Sequence, residues 1–419
     1  MTRLTRLHLL LFLVAVLSLT VARGASAQNA AGLWNAIVVA NNVDVPFRYE
    51  VSVNGTKAEG AFFEGDRKIM STSGTFEQGH LVIEYDHLNT VLDVQVEGDT
   101  FRGTYVNRRP NSRPQEIRAT RFTPIAAGAS DAPKLDGSWA MYRNGTTRFV
   151  LDVSWRLYLR DSGGAVSGAI LRTSGDTGTL TGQWQNGKLV MSHFAGERPL
   201  LFEATANADG TLDITLDRTS TFRAARTNEI RDKGIPEPPD LTRFTSVKDP
   251  TERFHFGGVD LMGRQVSDAD ARYQGKVVVA TIGGTWCPNC HDEAPSLVDL
   301  DRTYRAQGLE VVGLFFENDP AIDAARPRIN AFNRRYSVQF PILVAGGRDD
   351  GPMKLPQLNN FAVYPTTVFI GRDGRVRSVH AGFASEATGA EHTRLLEERR
   401  QLIERLLAEP APGGSAAGR

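Results

Sequence analysis

Residues 276–295 read KVVVATIGGTWCPNCHDEAP and hold both cysteines of the 419-residue chain, Cys287 and Cys290. Lys276–Ile282 is apolar and β-branched, the pattern of a buried strand. After the cysteines, Leu297, Leu300, Tyr304 and Leu309 keep a helical spacing. The pair therefore falls where a strand turns into a helix. Free N–H groups and the dipole at a helix N-terminus stabilise a thiolate, so Cys287 is expected to have a lowered pKa, to sit exposed and to be the attacking sulfur. Cys290, one turn further in, is placed to resolve the mixed disulfide. No structural disulfide is left to form elsewhere.

Other chemistries use the same letters. Cys287 to His291 also spells C-x-x-C-H, the attachment pattern of a c-type haem. That pattern does not require a buried strand before it, Trp286 ahead of the first cysteine, or Pro295 after the second. A structural zinc site needs four ligands, and no second cysteine pair exists. The redox reading is the one the strand-to-helix context supports, with no cofactor or metal expected.

W-C-x-x-C-x-x-E-x-P resembles the active site of the exported thiol–disulfide oxidoreductases of the TlpA/ResA type, which have a thioredoxin fold. The resemblance covers residues 250–408 and implies an α/β domain. Ordinary thioredoxins carry a buried Asp six residues before the first Cys, where this chain has Thr281. TlpA/ResA-type proteins instead have a Glu three residues after the second Cys, which implies that Glu293 handles the proton of the Cys290 thiol. The alternative is a first-turn Glu that complements the helix dipole. Gly283-Gly284, where relatives often carry bulkier residues, is expected to open space beside the disulfide. Tyr364-Pro365-Thr366-Thr367 is similar to the thioredoxin-fold segment whose proline is cis and lies against the cysteines. That likeness makes Tyr364 and Pro365, with Trp286 and Pro288, the substrate-binding set. A thioredoxin-fold peroxidase is disfavoured, because the Thr and Pro that such proteins place three and seven residues before the reactive Cys are here Gly284 and Ala280.

Residues 1–27 read as a signal peptide. Arg3 and Arg6 precede the apolar run Leu9–Val16, and Ala25-Ser26-Ala27 is a cleavage site. The expected location is the periplasm. Lys plus Arg and Asp plus Glu are 48 each, which gives no case for nucleic acid. The partners expected are disulfide-bearing proteins and, to recharge a lone dithiol, a separate membrane thiol carrier.

Residues 28–125 and 132–230 read as two β-rich repeats. Gly32-Leu33-Trp34 recurs as Gly137-Ser138-Trp139, and Arg118-Ala119-Thr120-Arg121 as Arg223-Ala224-Ala225-Arg226, both 105 residues on. Each repeat offers about eight short alternating segments, with hairpin turns expected at Asn54-Gly55 and Asn144-Gly145. Two small barrels or one larger sandwich fit that pattern. A G-x-W opening with a closing Arg is similar to the calycin barrels (lipocalins and avidins), whose Arg packs over the Trp. The module is read as a partner-docking or spacer unit, with a ligand cup as the alternative, and Trp34, Trp139, Trp155 and Trp184 as core. Residues 231–249 are a Pro-rich linker expected to hold the two parts apart. Pro341 marks Val338–Val344 as an edge strand. Leu395, Leu396, Leu402, Ile403, Leu406 and Leu407 form the stripe of a closing helix, and 409–419 is a disordered tail. The fold class expected is an all-β tandem repeat followed by an α/β thioredoxin-like domain.

Overall fold

A computed structural model of the chain describes residues 29–109, 112–124, 133–143, 154–238 and 244–410. Residues 1–27, read as a signal peptide, the turn expected at Asn144-Gly145 and residues 411–419 lie outside the described residues.

Alternation with period two writes the β half. In His80–Tyr85, for example, Leu81, Ile83 and Tyr85 are buried while Val82 and Glu84 are half-buried. Among the described residues each repeat forms a nine-stranded sheet, and eight of the nine close into a ring. In the first, Gly32–Ala40 pairs with both Val43–Asn54 and Gln115–Arg121, and Val43–Asn54 pairs on with Lys57–Glu64 across the Asn54-Gly55 hairpin. Arg67–Met70 hangs off Lys57–Glu64 as the ninth strand. The second repeats this plan, Gly137–Arg143 closing on Ser220–Arg226, with Gly175–Asp176 as the extra strand. Two barrels form, and not one sandwich.

The repeated residues explain each closure. Trp34 lies opposite Arg121, and Trp139 opposite Arg226. Each guanidinium stacks on its indole, at 4.0 and 4.7 Å from the ring centroid. Arg121 Nη1 donates to Ala31 O at 2.7 Å, and Arg226 Nη1 to Asp136 O at 2.6 Å. Gly32 and Gly137 hold φ of 122° and 121°, and a Cβ at either would meet the guanidinium at 3.2 Å. Glycine is needed there for both reasons. All four tryptophans of these repeats are buried, as expected of core.

The C-terminal part is a seven-stranded sheet: β1 (Gly257–Val259), β2 (Gln265–Ser267), β3 (Val277–Gly283), β4 (Leu309–Glu317), β5 (Ile342–Gly347), β6 (Thr366–Ile370) and β7 (Val376–Ala381), in the order β2-β1-β5-β4-β3-β6-β7. β3, β4 and β5 are parallel, while β6 runs antiparallel to β3. Every residue of β3 is buried, because both faces are covered. Val277 and Val279 pack into one core with Leu297 and Ile403, and Val278, Ala280 and Ile282 into another with Phe254 and Phe316. The covering helices include α1 (Pro288–Tyr304), α2 (Ile322–Tyr336) and α3 (Ala390–Ala408). β5 starts one residue after Pro341 and lies between β1 and β4, so it is not an edge. Pro341 has no N–H to give the sheet, but its carbonyl accepts from Gly313 N–H at 2.9 Å.

The linker does not hold the two parts apart. Ile235 is buried with Ala140, Ala225 and Ile230 of the second barrel. The carbonyls of Pro236 and Pro238 accept from Ser154 Oγ and Arg156 Nη2 at 3.1 and 3.3 Å. Prolines lack a donor but keep their acceptor, so an apolar residue beside them suffices to fold the strap back. The barrels also join each other: Phe194 of the second stands among Phe47, Phe62 and Tyr105 of the first, at centroid distances of 4.8–5.3 Å.

Candidate active site

β3 delivers the chain to the N-terminus of α1, where Cys287 is the N-cap and Pro288 the first helical residue. Cys287 and Cys290 form a disulfide, their Cα atoms 5.2 Å apart. Cys287 Sγ accepts from the Cys290 N–H at 3.3 Å, so the first sulfur faces the free donors of the helix end. The two glycines do not leave space. A Cβ at Gly283 would lie 3.0 Å from Cys290 Sγ, and one at Gly284 2.5 Å from Trp286 Nε1. They are small because a sulfur and an indole already occupy the room.

Glu293 lies one turn behind Cys290 on the same helix, with a side chain that is 1% exposed. Thr281 Oγ1 donates to its Oε2 at 2.9 Å, and Thr367 Oγ1 to its Oε1 at 2.8 Å. Thr281 and Gly283 share one face of β3, so Glu293 and Cys290 occupy one buried column. Arg399 of α3, also 1% exposed, brings Nη2 to 2.7 Å from Glu293 Oε1 and stacks its guanidinium 5.2 Å from the Phe383 ring.

The loop before Cys287 is clamped by a residue the sequence did not single out. Glu317, at the end of β4, accepts from Thr285 N–H and Oγ1, both at 2.7 Å. Burial pushes its carboxyl up, with those bonds opposing. Trp286 Nε1 donates to Phe316 O at 2.6 Å, its ring lies 5.3 Å from that of Tyr364, and Arg348 stacks on it at 4.0 Å. The Tyr364–Pro365 peptide is cis, and Tyr364 donates its hydroxyl hydrogen to Arg348 O at 2.9 Å. The Trp286 and Tyr364 rings thus meet next to Cys287, with Arg348 added.

His291 is bound on both ring nitrogens: Nε2 lies 2.8 Å from Thr285 O and Nδ1 3.0 Å from Tyr336 Oη. It packs between Phe332 and Tyr336, with His87 of the first barrel 6.4 Å away. These contacts make it a fixed part of the wall and commit the nitrogen a haem iron needs. Burial lowers its pKa from 6.5 to about 4. His291 is therefore neutral when folded, and its contribution to stability is complete above the unfolded value. It is lost as pH falls from about 6.5 towards about 4, a change of about 3 kcal/mol. Urea unfolding at about pH 7.5 and about pH 4.5 measures this. A His291→Gln chain should show a visibly flatter pH dependence over that window, and an equal slope contradicts the assignment.

The two cysteines are not exposed: Cys287 is 3% and Cys290 5% accessible. The barrels reach the residues on either side of Cys287. Arg109 of the first donates to Trp286 O at 3.1 Å. Arg198 of the second binds Asn289 Oδ1 and lies 3.0 Å from Asp292 Oδ2, and Asn289 Nδ2 donates to Ser174 O at 2.8 Å. Burial raises the Asp292 carboxyl, with Arg198 opposing. Among the described residues no group of three or more His, Cys, Asp or Glu is placed to hold a metal.

Residues 247–379 match the AhpC/TSA family model. The chain is 31% identical over 137 residues to the thiol-disulfide oxidoreductase ResA of Geobacillus thermodenitrificans, covering 32% of this chain and 69% of that protein. The chain belongs to the ResA thiol-disulfide oxidoreductases. The ResA of Geobacillus kaustophilus is 29% identical over 144 residues, covering 34% of this chain and 74% of its own. A solved thiol:disulfide interchange protein of the thioredoxin family from Chlorobium tepidum superposes with a TM-score of 0.30 at 20% identity, over 39% of this chain and 99% of that one. As a ResA-type protein the chain is a thiol–disulfide oxidoreductase, and the Cys287–Cys290 disulfide is the group that fits this activity.

Proposed function

We propose that the protein is exported to the periplasm and reduces disulfides of other proteins there. The observation that carries this reading is the Cys287–Cys290 disulfide at a helix N-terminus with Glu293 buried behind it. Cys287 thiolate attacks a substrate sulfur, and one substrate thiolate leaves. Cys290 then loses its proton to Glu293 and attacks Cys287 Sγ, releasing the second substrate thiol and forming the Cys287–Cys290 disulfide. Trp286, Pro288, Tyr364 and Pro365 form the bed in which an extended chain is presented, with Arg348 holding the Trp286 ring. A membrane thiol carrier restores the dithiol. No helix among the described residues is long and apolar enough to cross a membrane. The residues proposed to mark export, 1–27, lie outside the described part.

A Cys290→Ser chain tests the reading. It should accumulate mixed disulfides through Cys287 with both substrates and the recharging protein, and peptide mapping should place every one on Cys287. Absence of any mixed disulfide contradicts the proposal. Glu293→Gln tests the proton step: the pH–rate profile of the resolving reaction should lose one limb and slow by about 10²-fold. An unchanged profile returns Glu293 to a helix-dipole role.

A further inference from the structure

The segment Phe194–Arg198 of the second barrel commits successive residues to different neighbours. Phe194 enters the aromatic core of the first barrel. The Gly196 carbonyl accepts from Tyr105 Oη at 2.8 Å, and a Cβ on Gly196, whose φ is 91°, would fall 2.7 Å from Leu88. Glu197 pairs with Arg109 at 3.0 Å, and Arg109 in turn holds Trp286 O. Arg198 Nη1 reaches Asn289 Oδ1 and Asp176 O, and its Nη2 reaches Asp292.

Beside this segment the backbones of 173–176 and 382–385 meet directly. A Cβ on Gly175 would lie 2.6 Å from Phe383 O, and one on Gly382 2.5 Å from Thr173 O. The buried Asp176 carboxylate accepts from the N–H and hydroxyl of Ser385. Two glycines at the closest points, and a buried carboxylate bonded across the gap, make this a close-fitted contact, beside a cavity of about 1350 Å³ that Glu197 and Arg198 also line. The contacts bracket Cys287, with Trp286 on one side and Asn289 on the other.

We propose that Phe194–Arg198 is a specificity-determining latch for the thiol–disulfide reaction. While Arg198 is seated, the barrels cover Cys287 and admit only small reagents. Bulky protein disulfides react in the fraction of time the latch is released. The exchange itself is unchanged: Cys287 takes one substrate sulfur, Cys290 displaces it, and two electrons pass from dithiol to substrate. The inference rests on the redox reading above, and it assigns the β module the selection of substrates.

The test uses the full chain with Cys290→Ser, so that Cys287 is the sole thiol. Its rates with N-ethylmaleimide and with a maleimide carried on a polyethylene glycol of about 5 kDa are compared, each relative to the same chain unfolded in urea. Both reagents need the same thiolate, so their ratio cancels any change in Cys287 reactivity. The parent should prefer the small reagent by at least about tenfold. Adding Arg198→Ala should bring the preference within about threefold, and Asp176→Ala, which loosens the interface from its other end, should act in the same direction. Far-ultraviolet melting separates a released latch from an unfolded chain, and Arg198→Lys, which keeps the charge but loses the fork, supplies an intermediate value if the alanine variants do not fold. No size preference in the parent, or a preference that survives the Arg198 and Asp176 substitutions, overturns the latch. Failure of the redox reading is distinct, since it shows as a parent chain that forms no mixed disulfide with any disulfide offered.

Discussion

Replacing Arg399 with Met should destabilise the thioredoxin-fold domain by about 3–5 kcal/mol, more than any other substitution on α3. Arg399 and Glu293 are each 1% exposed and their charges meet at 2.7 Å. Removing the cation leaves a carboxylate in the core with only the hydroxyls of Thr281 and Thr367 to satisfy it. A carboxylate so buried keeps little of its hydration to compensate. The complementary substitution shows where the cost lies. In the Arg399→Met/Glu293→Leu chain no charge is stranded, so most of the loss should return while the resolving step stays slow. Urea unfolding of the three chains measures both terms. A loss below about 1 kcal/mol for Arg399→Met contradicts a buried, mutually dependent pair. By contrast Arg400, one residue on, makes exposed pairs with Glu397 and Glu404. Its removal should leave stability nearly unchanged.

Cys287→Ser should reduce exchange with any disulfide to the uncatalysed background, a fall of at least about a thousandfold. A serine hydroxyl at the same helix end stays protonated, and the dipole that suffices for a thiol does not produce an alkoxide. Cys290→Ser differs in kind: it keeps the first attack and loses the second, so it gives a single stoichiometric event and then stops. Single-turnover kinetics with a chromogenic disulfide separate the two. Equal residual rates in both variants contradict the assignment of attack to Cys287.

The parts of this protein that were legible in sequence are those whose cause is local. An apolar β-branched run followed by C-x-x-C announces a strand feeding a helix, and that is where the cysteines lie. The 105-residue repeat was legible because each barrel closes by the same Trp–Arg contact, written with the same residues at both ends. Glu293 was visible from its place in the motif. Its partner was not, although a signal existed: Arg399 falls four residues after Leu395 and four before Ile403, inside the apolar stripe of α3. A charge at such a position calls for a buried counter-charge. Arg109, Arg198, Asp176 and Glu317 carried no comparable sign. Their partners in the thioredoxin-like domain lie 32 to 209 residues away in sequence; Glu317 meets Thr285 inside that domain, and the docking of the barrels brings the other three together. Cys287 is buried and not exposed as expected; exposure was argued from the helix end alone, without the barrels that reach Trp286 and Asn289 beside it.

The direction of electron flow is tested most directly by the reduction potential of the Cys287–Cys290 pair in the full chain. The chain is equilibrated with a graded thiol–disulfide buffer, and its free thiols are counted by the mass added on alkylation. A reductase should be half-reduced at about −200 mV or below, in the range of proteins that deliver electrons to disulfides. A midpoint near about −120 mV, that of a strong disulfide donor, contradicts the account and makes the same two cysteines an oxidant.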